Sequence, residues 1–343
     1  MKKAVRWAVK IIYSVRQVKR GSILKTIGIV TSGGDAPGMN AAIRAVTRIA
    51  AYNGMSVIGF ERGWEGLISG LVRPLNARSV SGIINMGGTI LHTTRCPHIQ
   101  TSEGRAKAAA CLAKHKVDGL VVIGGDGSFR AARALGEKID TLMVGVPATI
   151  DNDVYGTDET IGFDTAVDTA IGMVDKIRDT AISHERMFIV EVMGRKRGFL
   201  ASMVGLTVGA EIILVPEVPF KEQRLFDIIR ANESMGKRSA IIIAAEGIGD
   251  TRKLALDIEE NTGLETRLSV LGYAQRGGSP TARSRYLASE FGSKAVELLS
   301  DDKGGLITTL REGRVMSFSL EESVRTEKPL DPAILKLAEI LAT

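Results

Sequence analysis

The feature that most constrains this chain is a repeated alternation. A short, almost wholly apolar run ends in glycines or an acidic turn, and a helical stretch follows. TIGIV at 26–30 leads into TSGGDAPGMN and then AAIRAVTRIAAYNG, while GLVVI at 119–123 leads into GGDGS and then FRAARALGEK. SVIGF (56–60), TLMVGVPATI (141–150), MFIVEV (187–192), EIILVP (211–216) and SAIIIAAEG (239–247) read as further strands. Runs this apolar are expected to be buried on both faces, as strands of a parallel sheet are. The expected fold class is α/β, with mainly parallel sheets and helices on both sides. At 343 residues the length suits roughly two domains. No Pro/Ser-rich linker or short repeat marks a boundary, so the two are expected to interleave in sequence.

In sheets of this kind ligands bind beyond the carboxyl ends of the strands. The polar and glycine clusters of this chain fall there again and again. Gly33-Gly34-Asp35-Ala36-Pro37-Gly38 follows the first strand. Its glycines permit a tight turn and a close backbone approach, and the next helix offers free N–H groups to an anion. It lacks the Lys-Ser/Thr of a P-loop and the spacing of a dinucleotide fingerprint. Gly124-Gly125-Asp126-Gly127-Ser128 is the stronger signal. A lone Asp among glycines suits magnesium, which takes one or two carboxylates and keeps waters or phosphate oxygens; helix capping by Asp126 or Ser128 is the plainer alternative. Thr149-Ile150-Asp151-Asn152-Asp153 follows another strand. One of its carboxylates could take a proton from a hydroxyl while the other orders the metal, against the alternative of an ordinary Asx turn.

Arginines mark the later strand ends: Arg195 in Met193-Gly194-Arg195, Arg276 in Gln275-Arg276-Gly277-Gly278, Arg186 before a strand, Arg267 opening one, and Arg95 in Thr94-Arg95-Cys96-Pro97. Arginine holds phosphates bidentately and offsets charge on a phosphoryl group in flight. Their number at strand termini suggests two phosphorylated ligands. The four histidines form no metal pair and no nucleophile triad. Cys96 and Cys111 make no disulfide framework or metal spacing, which fits a reducing cytosol.

The charge of the chain is misleading taken whole. Residues 1–22 hold seven Lys and Arg and no acid, and removing those seven cations from the formal +6 leaves −1. The body therefore gives no sign of nucleic-acid binding. The extension has neither the clean apolar stretch nor the cleavage site of a signal peptide. An upstream start codon or a peripheral appendage is favoured over a membrane-surface helix. No run approaches the roughly 20 apolar residues of a membrane span.

TSGGDAPGMNAAIR, GGDGS, TIDND, EVMGR, ETR and QRGGSP, in this order and spacing, resemble the bacterial-type 6-phosphofructokinases from about Ile23 onward. The resemblance implies two Rossmann-like lobes with the active site in the cleft between them. An ATP lobe would span 23–162, continued by about 275–325; a fructose 6-phosphate lobe would span 163–274, continued by about 326–343. It implies magnesium as cofactor, ATP as co-substrate, a cytoplasmic enzyme of glycolysis, and a homotetramer, with a dimer as the alternative. Carried over by position, Gly33, Arg95, Cys96, Gly125, Asp126, Gly127 and Ser128 line the ATP site, with Asp126 the magnesium ligand. Asp151 is the base toward the sugar 1-hydroxyl, with Asp153 supporting the metal. Thr149 and Arg195 stabilise the transferring phosphoryl. Met193, Gly194, Glu246, Tyr273 and Arg276 contact the sugar phosphate, and Arg186 and Arg267 reach it from an adjacent subunit.

Two positions bear on the phosphoryl donor. Pyrophosphate-using relatives carry Asp where this chain has Gly127, and usually Lys where it has Ala148; both residues favour ATP. Tyr273 replaces a His of the well-studied bacterial enzymes and is similar to a lineage of mixed donor use. A pyrophosphate-dependent enzyme, or a kinase of a related ketose phosphate, is the alternative reading. At the family's effector pocket Arg44, Arg48, Arg178, Glu211 and Lys237 match, whereas Ala77, Gly82, Met235 and Ser239 do not. Weak or absent effector control is expected.

Overall fold

The computed structural model describes residues 25–237 and 239–342. The basic extension at 1–22 lies outside the described residues. The first elements are β1 (Thr26–Ser32), α1 (Met39–Tyr52), β2 (Ser56–Phe60), α2 (Trp64–Ser69) and β3 (Val72–Leu75). They are followed by α3 (Ser102–Lys114), β4 (Gly119–Gly124), α4 (Asp126–Gly136), β5 (Leu142–Thr149) and a two-residue β6 (Ile161–Gly162). The long α5 (Phe163–His184) leads to β7 (Met187–Val192), α6 (Phe199–Thr207), β8 (Ile212–Leu214), α7 (Glu222–Ser234), β9 (Ala240–Ala245), α8 (Thr251–Thr262) and β10 (Thr266–Val270). The last elements are α9 (Ala282–Ser300), β11 (Leu306–Arg311), β12 (Arg314–Ser319), α10 (Leu320–Arg325) and α11 (Pro332–Leu341).

Two sheets result. The larger, of eight strands, runs β12-β11-β5-β4-β1-β2-β3 with β6 beside β5; the smaller runs β10-β7-β9-β8. All pairings are parallel except β2–β3 and β11–β12 at the two edges of the larger sheet. The chain is thus α/β with two mainly parallel sheets, as the apolar runs lead one to expect. β11 pairs with β5, and α9 packs on α1, so the segment after β10 returns to the larger sheet. α11 then crosses to the smaller one, against α6 and β8.

β4 is buried along its whole length, and β1 and β5 everywhere but at their ends. Burial on both faces does not extend to the edges. Ile212 and Ile213 of β8 are only half-buried, and in β10 only Thr266 is buried. β3 and β12 are not legible as apolar runs at all, because an edge strand needs only one covered face. Pro74 in β3 is tolerated there for the same reason, since an edge position can do without one ladder donor.

Sheet order positions the site. β1, β4 and β5 are neighbours, so the clusters after them open side by side at one sheet edge. The chain leaves β1 toward β2 on one side and returns through β4 on the other, a topological switch point. α4, which begins at Asp126, is anchored there by the fully buried Phe129, wedged where Gly145 of β5 leaves no side chain in the way. Truncating such a phenylalanine to alanine costs about 3–5 kcal/mol and would loosen the helix that carries Asp126.

Candidate active site

One cavity gathers most of the residues singled out from the sequence. Its walls include Gly33, Arg95, Cys96 and the run Gly125–Ser128; its floor carries Thr149, Asp151 and Asp153; Arg195 and Arg276 reach it from the side of the smaller sheet. The capping alternative for the Gly-Gly-Asp-Gly motif fails on geometry. The cap of α4 is Gly125, with no side-chain capping bond, so neither Asp126 nor Ser128 caps the helix. The buried Ser128 hydroxyl makes no hydrogen bond, and the Asp151 Oδ1 is likewise buried without a partner. Buried polar atoms without a protein partner, on the wall of a cavity, suit a site that takes a polar ligand.

Asp151 is 4% exposed. Its backbone N–H donates to the Thr149 hydroxyl at 3.2 Å, and its Oδ2 lies 3.4 Å from Arg195 Nε. That pair joins the two lobes. Arg195 is held from behind, its N–H donating to Glu246 Oε1 at 2.5 Å. Burial, with a smaller push from Asp153, raises the Asp151 carboxyl to about 6 although Arg195 and Arg276 oppose the shift. Burial also raises Asp126 and Asp153. Arg130 and Arg197 offset part of the rise at Asp126, and Arg195 and Arg197 part of it at Asp153. Three carboxylates that burial and mutual repulsion make reluctant to ionise form a site short of positive charge.

That shortage fits magnesium. Among the described residues, no group of three or more His, Cys, Asp or Glu side chains is arranged to hold a metal by itself. A cation that takes one or two carboxylates and completes its shell with waters and phosphate oxygens needs no such cage. Asp126 faces the cavity through a partly exposed side chain, whose Oδ2 meets Arg130 at 2.7 Å.

Other sequence-read residues lie outside the cavity lining. The Met193 N–H donates to Gln275 Oε1 at 3.3 Å, and so ties the turn after β7 to the turn that carries Arg276. Gly194, in the same turn, has φ 137. Tyr273 is 80% exposed, its ring 5.9 Å from the Arg276 guanidinium carbon. Arg186 and Arg267 both pair with Glu265, Arg186 at 2.6 Å. The Cys96 thiol donates to Glu65 Oε2 at 3.3 Å; burial and that bond raise its pKa, so it is not poised as a nucleophile. Both cysteines are free.

Sequence reasoning missed Arg130 and Arg197, whose charges oppose the rise at Asp126, and the apolar wall formed by Trp64 and Ile99. Arg130 was within reach: it stands four residues after Asp126 on a helix, the spacing of an ion pair. Gly34 was noted as part of a turn but has a sharper role. A Cβ there would lie 2.0 Å from Arg276 Nη1, so only glycine lets the guanidinium lie over the turn.

Glycine-lined walls at strand ends, carboxylates short of a cation and arginines converging from a second sheet define a phosphotransferase site. The Phosphofructokinase family pattern matches residues 26–299, and the chain belongs to that family. It is 51% identical over 321 residues to ATP-dependent 6-phosphofructokinase 1 of Thermus thermophilus, covering 93% of this chain and all of that one. It is 49% identical over 319 residues to the ATP-dependent 6-phosphofructokinase of Bacillus subtilis (strain 168), again over 93% of this chain. Among solved structures, Pichia pastoris phosphofructokinase in the T-state superposes with a TM-score of 0.83 at 37% identity; the match covers 93% of this chain and 37% of that longer one. The pyrophosphate-dependent phosphofructokinase of Marinobacter aquaeolei superposes with a TM-score of 0.80 at 22% identity, a likeness of fold.

Proposed function

We propose that this chain transfers the terminal phosphoryl group of ATP to the 1-hydroxyl of fructose 6-phosphate, giving fructose 1,6-bisphosphate and ADP. The observation that carries the reading is Asp151: a buried carboxyl with one unbonded oxygen, on the floor of a glycine-walled cavity, facing an arginine from the other lobe. A carboxyl near 6 is poised as a base at neutral pH. It takes the hydroxyl proton as the sugar oxygen bonds to the γ-phosphorus and the bond to the ADP oxygen breaks. Arg195 and the Thr149 hydroxyl meet the charge that spreads over the phosphoryl oxygens. Arg276, with Glu246 and the Met193–Gly194 turn behind Arg195, orients the sugar phosphate.

Asp126 is the residue we assign to magnesium, with Asp153 in support; the cation, when bound, neutralises phosphate charge. The backbone of Gly33 and Gly125–Ser128 admits the triphosphate, with Arg95 and Cys96 along its side. Gly127 favours ATP over pyrophosphate, because a Cβ there would meet nothing within 4 Å and the space is left to the nucleotide. Arg186 and Arg267 belong, in this reading, to the sugar site of a neighbouring subunit in a homotetramer. They are held ready by Glu265 and do not line the cavity of their own chain. A cytoplasmic setting suits these substrates, and among the described residues no helix is long and apolar enough to cross a membrane. The test is product formation from ATP and fructose 6-phosphate with and without a magnesium chelator. Turnover that survives chelation overturns the metal assignment, and an absence of product overturns the function.

A further inference from the structure

Lys328 lies in the segment between α10 and α11, where the chain crosses from the larger sheet to the smaller, and it does not line the cavity. Its Nζ donates to the Asp158 carbonyl at 3.1 Å and stands 5.1 Å from the centre of the Phe199 ring, the first residue of α6. Its neighbour Glu327 pairs with Arg197 at 2.8 Å. Two consecutive residues of the crossing segment thus grip the turn that carries Arg195. Burial pushes the Lys328 amine down to about 8, against the pull of Asp158, Asp153 and Glu159.

The Asp158 carbonyl has a second donor. Asn152 Nδ2 reaches it at 3.2 Å. Asn152 is the middle residue of Asp151-Asn152-Asp153; it is buried and in the left-handed region, with φ 50. Asparagine tolerates that conformation better than other side chains do, and its amide bond to Asp158 holds it there. Asp158 is itself fixed, its N–H donating to the Leu310 carbonyl at 2.8 Å and its Oδ2 accepting from Glu312 N–H at 2.9 Å. One carbonyl oxygen, with two lone pairs, therefore couples the crossing segment to the catalytic turn.

We propose that Lys328 is a positioning residue. By binding the Asp158 carbonyl on one lobe and the Phe199 face on the other, it fixes Asn152, and with it Asp151 and Asp153, relative to the turn that carries Arg195. The inference rests on the assignment of Asp151 as the base. Outer-shell partners that orient the ligands of a metal are worth about 10- to 100-fold in metal affinity or activity, and a comparable loss is expected here.

The experiment compares the full-length wild type with Lys328→Met, which keeps the apolar stem, and Lys328→Arg, which keeps the cation. The Met variant is expected to lose kcat by about tenfold or more, with KM for ATP and for fructose 6-phosphate changed less than about threefold. Amide hydrogen exchange in the peptide spanning 151–159 is expected to rise in the Met variant, while Lys328→Arg retains most of both properties. A Met variant with wild-type kcat, or one that loses kcat with exchange at 151–159 unchanged, overturns the proposal. Should the Met variant not fold, Lys328→Gln carries the same comparison. If the wild type itself forms no product, the functional reading fails, and the exchange measurement alone still decides whether Lys328 holds the turn.

Discussion

Replacing Asp151 by Asn tests both what the residue does and what it costs the fold. The substitution keeps the shape and removes the charge and the basicity. Loss of a general base lowers kcat by about 10²- to 10⁴-fold, equivalent to about 2.7–5.5 kcal/mol of barrier, while KM for either substrate should change little. The same substitution should stabilise the free protein. The Asp151 carboxyl is raised from 3.8 to about 6, chiefly by burial, so folding favours its neutral form. The stability it contributes is therefore greatest below the ordinary carboxylate value and is lost as pH rises through about 6. At one pKa unit per 1.36 kcal/mol, the buried charge costs up to about 3 kcal/mol above that pH. Thermal unfolding without magnesium or nucleotide should show Asp151→Asn more stable than the wild type at pH 8, with the gap shrinking toward pH 4. A variant that keeps its kcat, or one that shows no gain at pH 8, refutes the reasoning.

Three further substitutions or assays follow from the same geometry. Gly127→Asp should fold normally, since its side chain enters open space, but should raise KM for ATP by about tenfold or more; unchanged ATP kinetics would contradict the role given to Gly127. Gly34→Ala drives a methyl group into Arg276 Nη1, so KM for fructose 6-phosphate should rise more than KM for ATP, as separate titrations of the two substrates would show. ADP should produce little activation at subsaturating fructose 6-phosphate. Besides the substitutions at Ala77, Gly82, Met235 and Ser239, Arg178 Nη2 already donates to the Val208 carbonyl at 2.6 Å and Lys237 Nζ to the Ala342 carbonyl at 2.9 Å. A strongly sigmoidal curve relieved by ADP would contradict this.

The parts of the site that lie within one strand-to-helix turn were legible in the sequence. Gly-Gly-Asp-Gly after an apolar run and Thr-Ile-Asp-Asn-Asp after another announce their place at strand carboxyl ends, where one cavity gathers them. What joins one lobe to the other was not. The approach of Arg195 to Asp151 and the hold of Lys328 on Asp158 link segments that only the packing of two sheets brings together. The edge strands β3 and β12 escaped notice because half-covered strands carry no continuous apolar run. The carbonyl partners of Arg178 and Lys237 were equally invisible, since a backbone oxygen leaves no mark on composition.

The central claim is that Asp151, its neighbours and the open space at Gly127 make an ATP-dependent kinase of fructose 6-phosphate. The most direct measurement is steady-state kcat/KM for ATP and for pyrophosphate, on one preparation, with fructose 6-phosphate as acceptor and magnesium present. ATP is expected to support formation of fructose 1,6-bisphosphate with a kcat/KM at least about 100-fold above that for pyrophosphate. Equal or better use of pyrophosphate, or no bisphosphate from ATP, would contradict it.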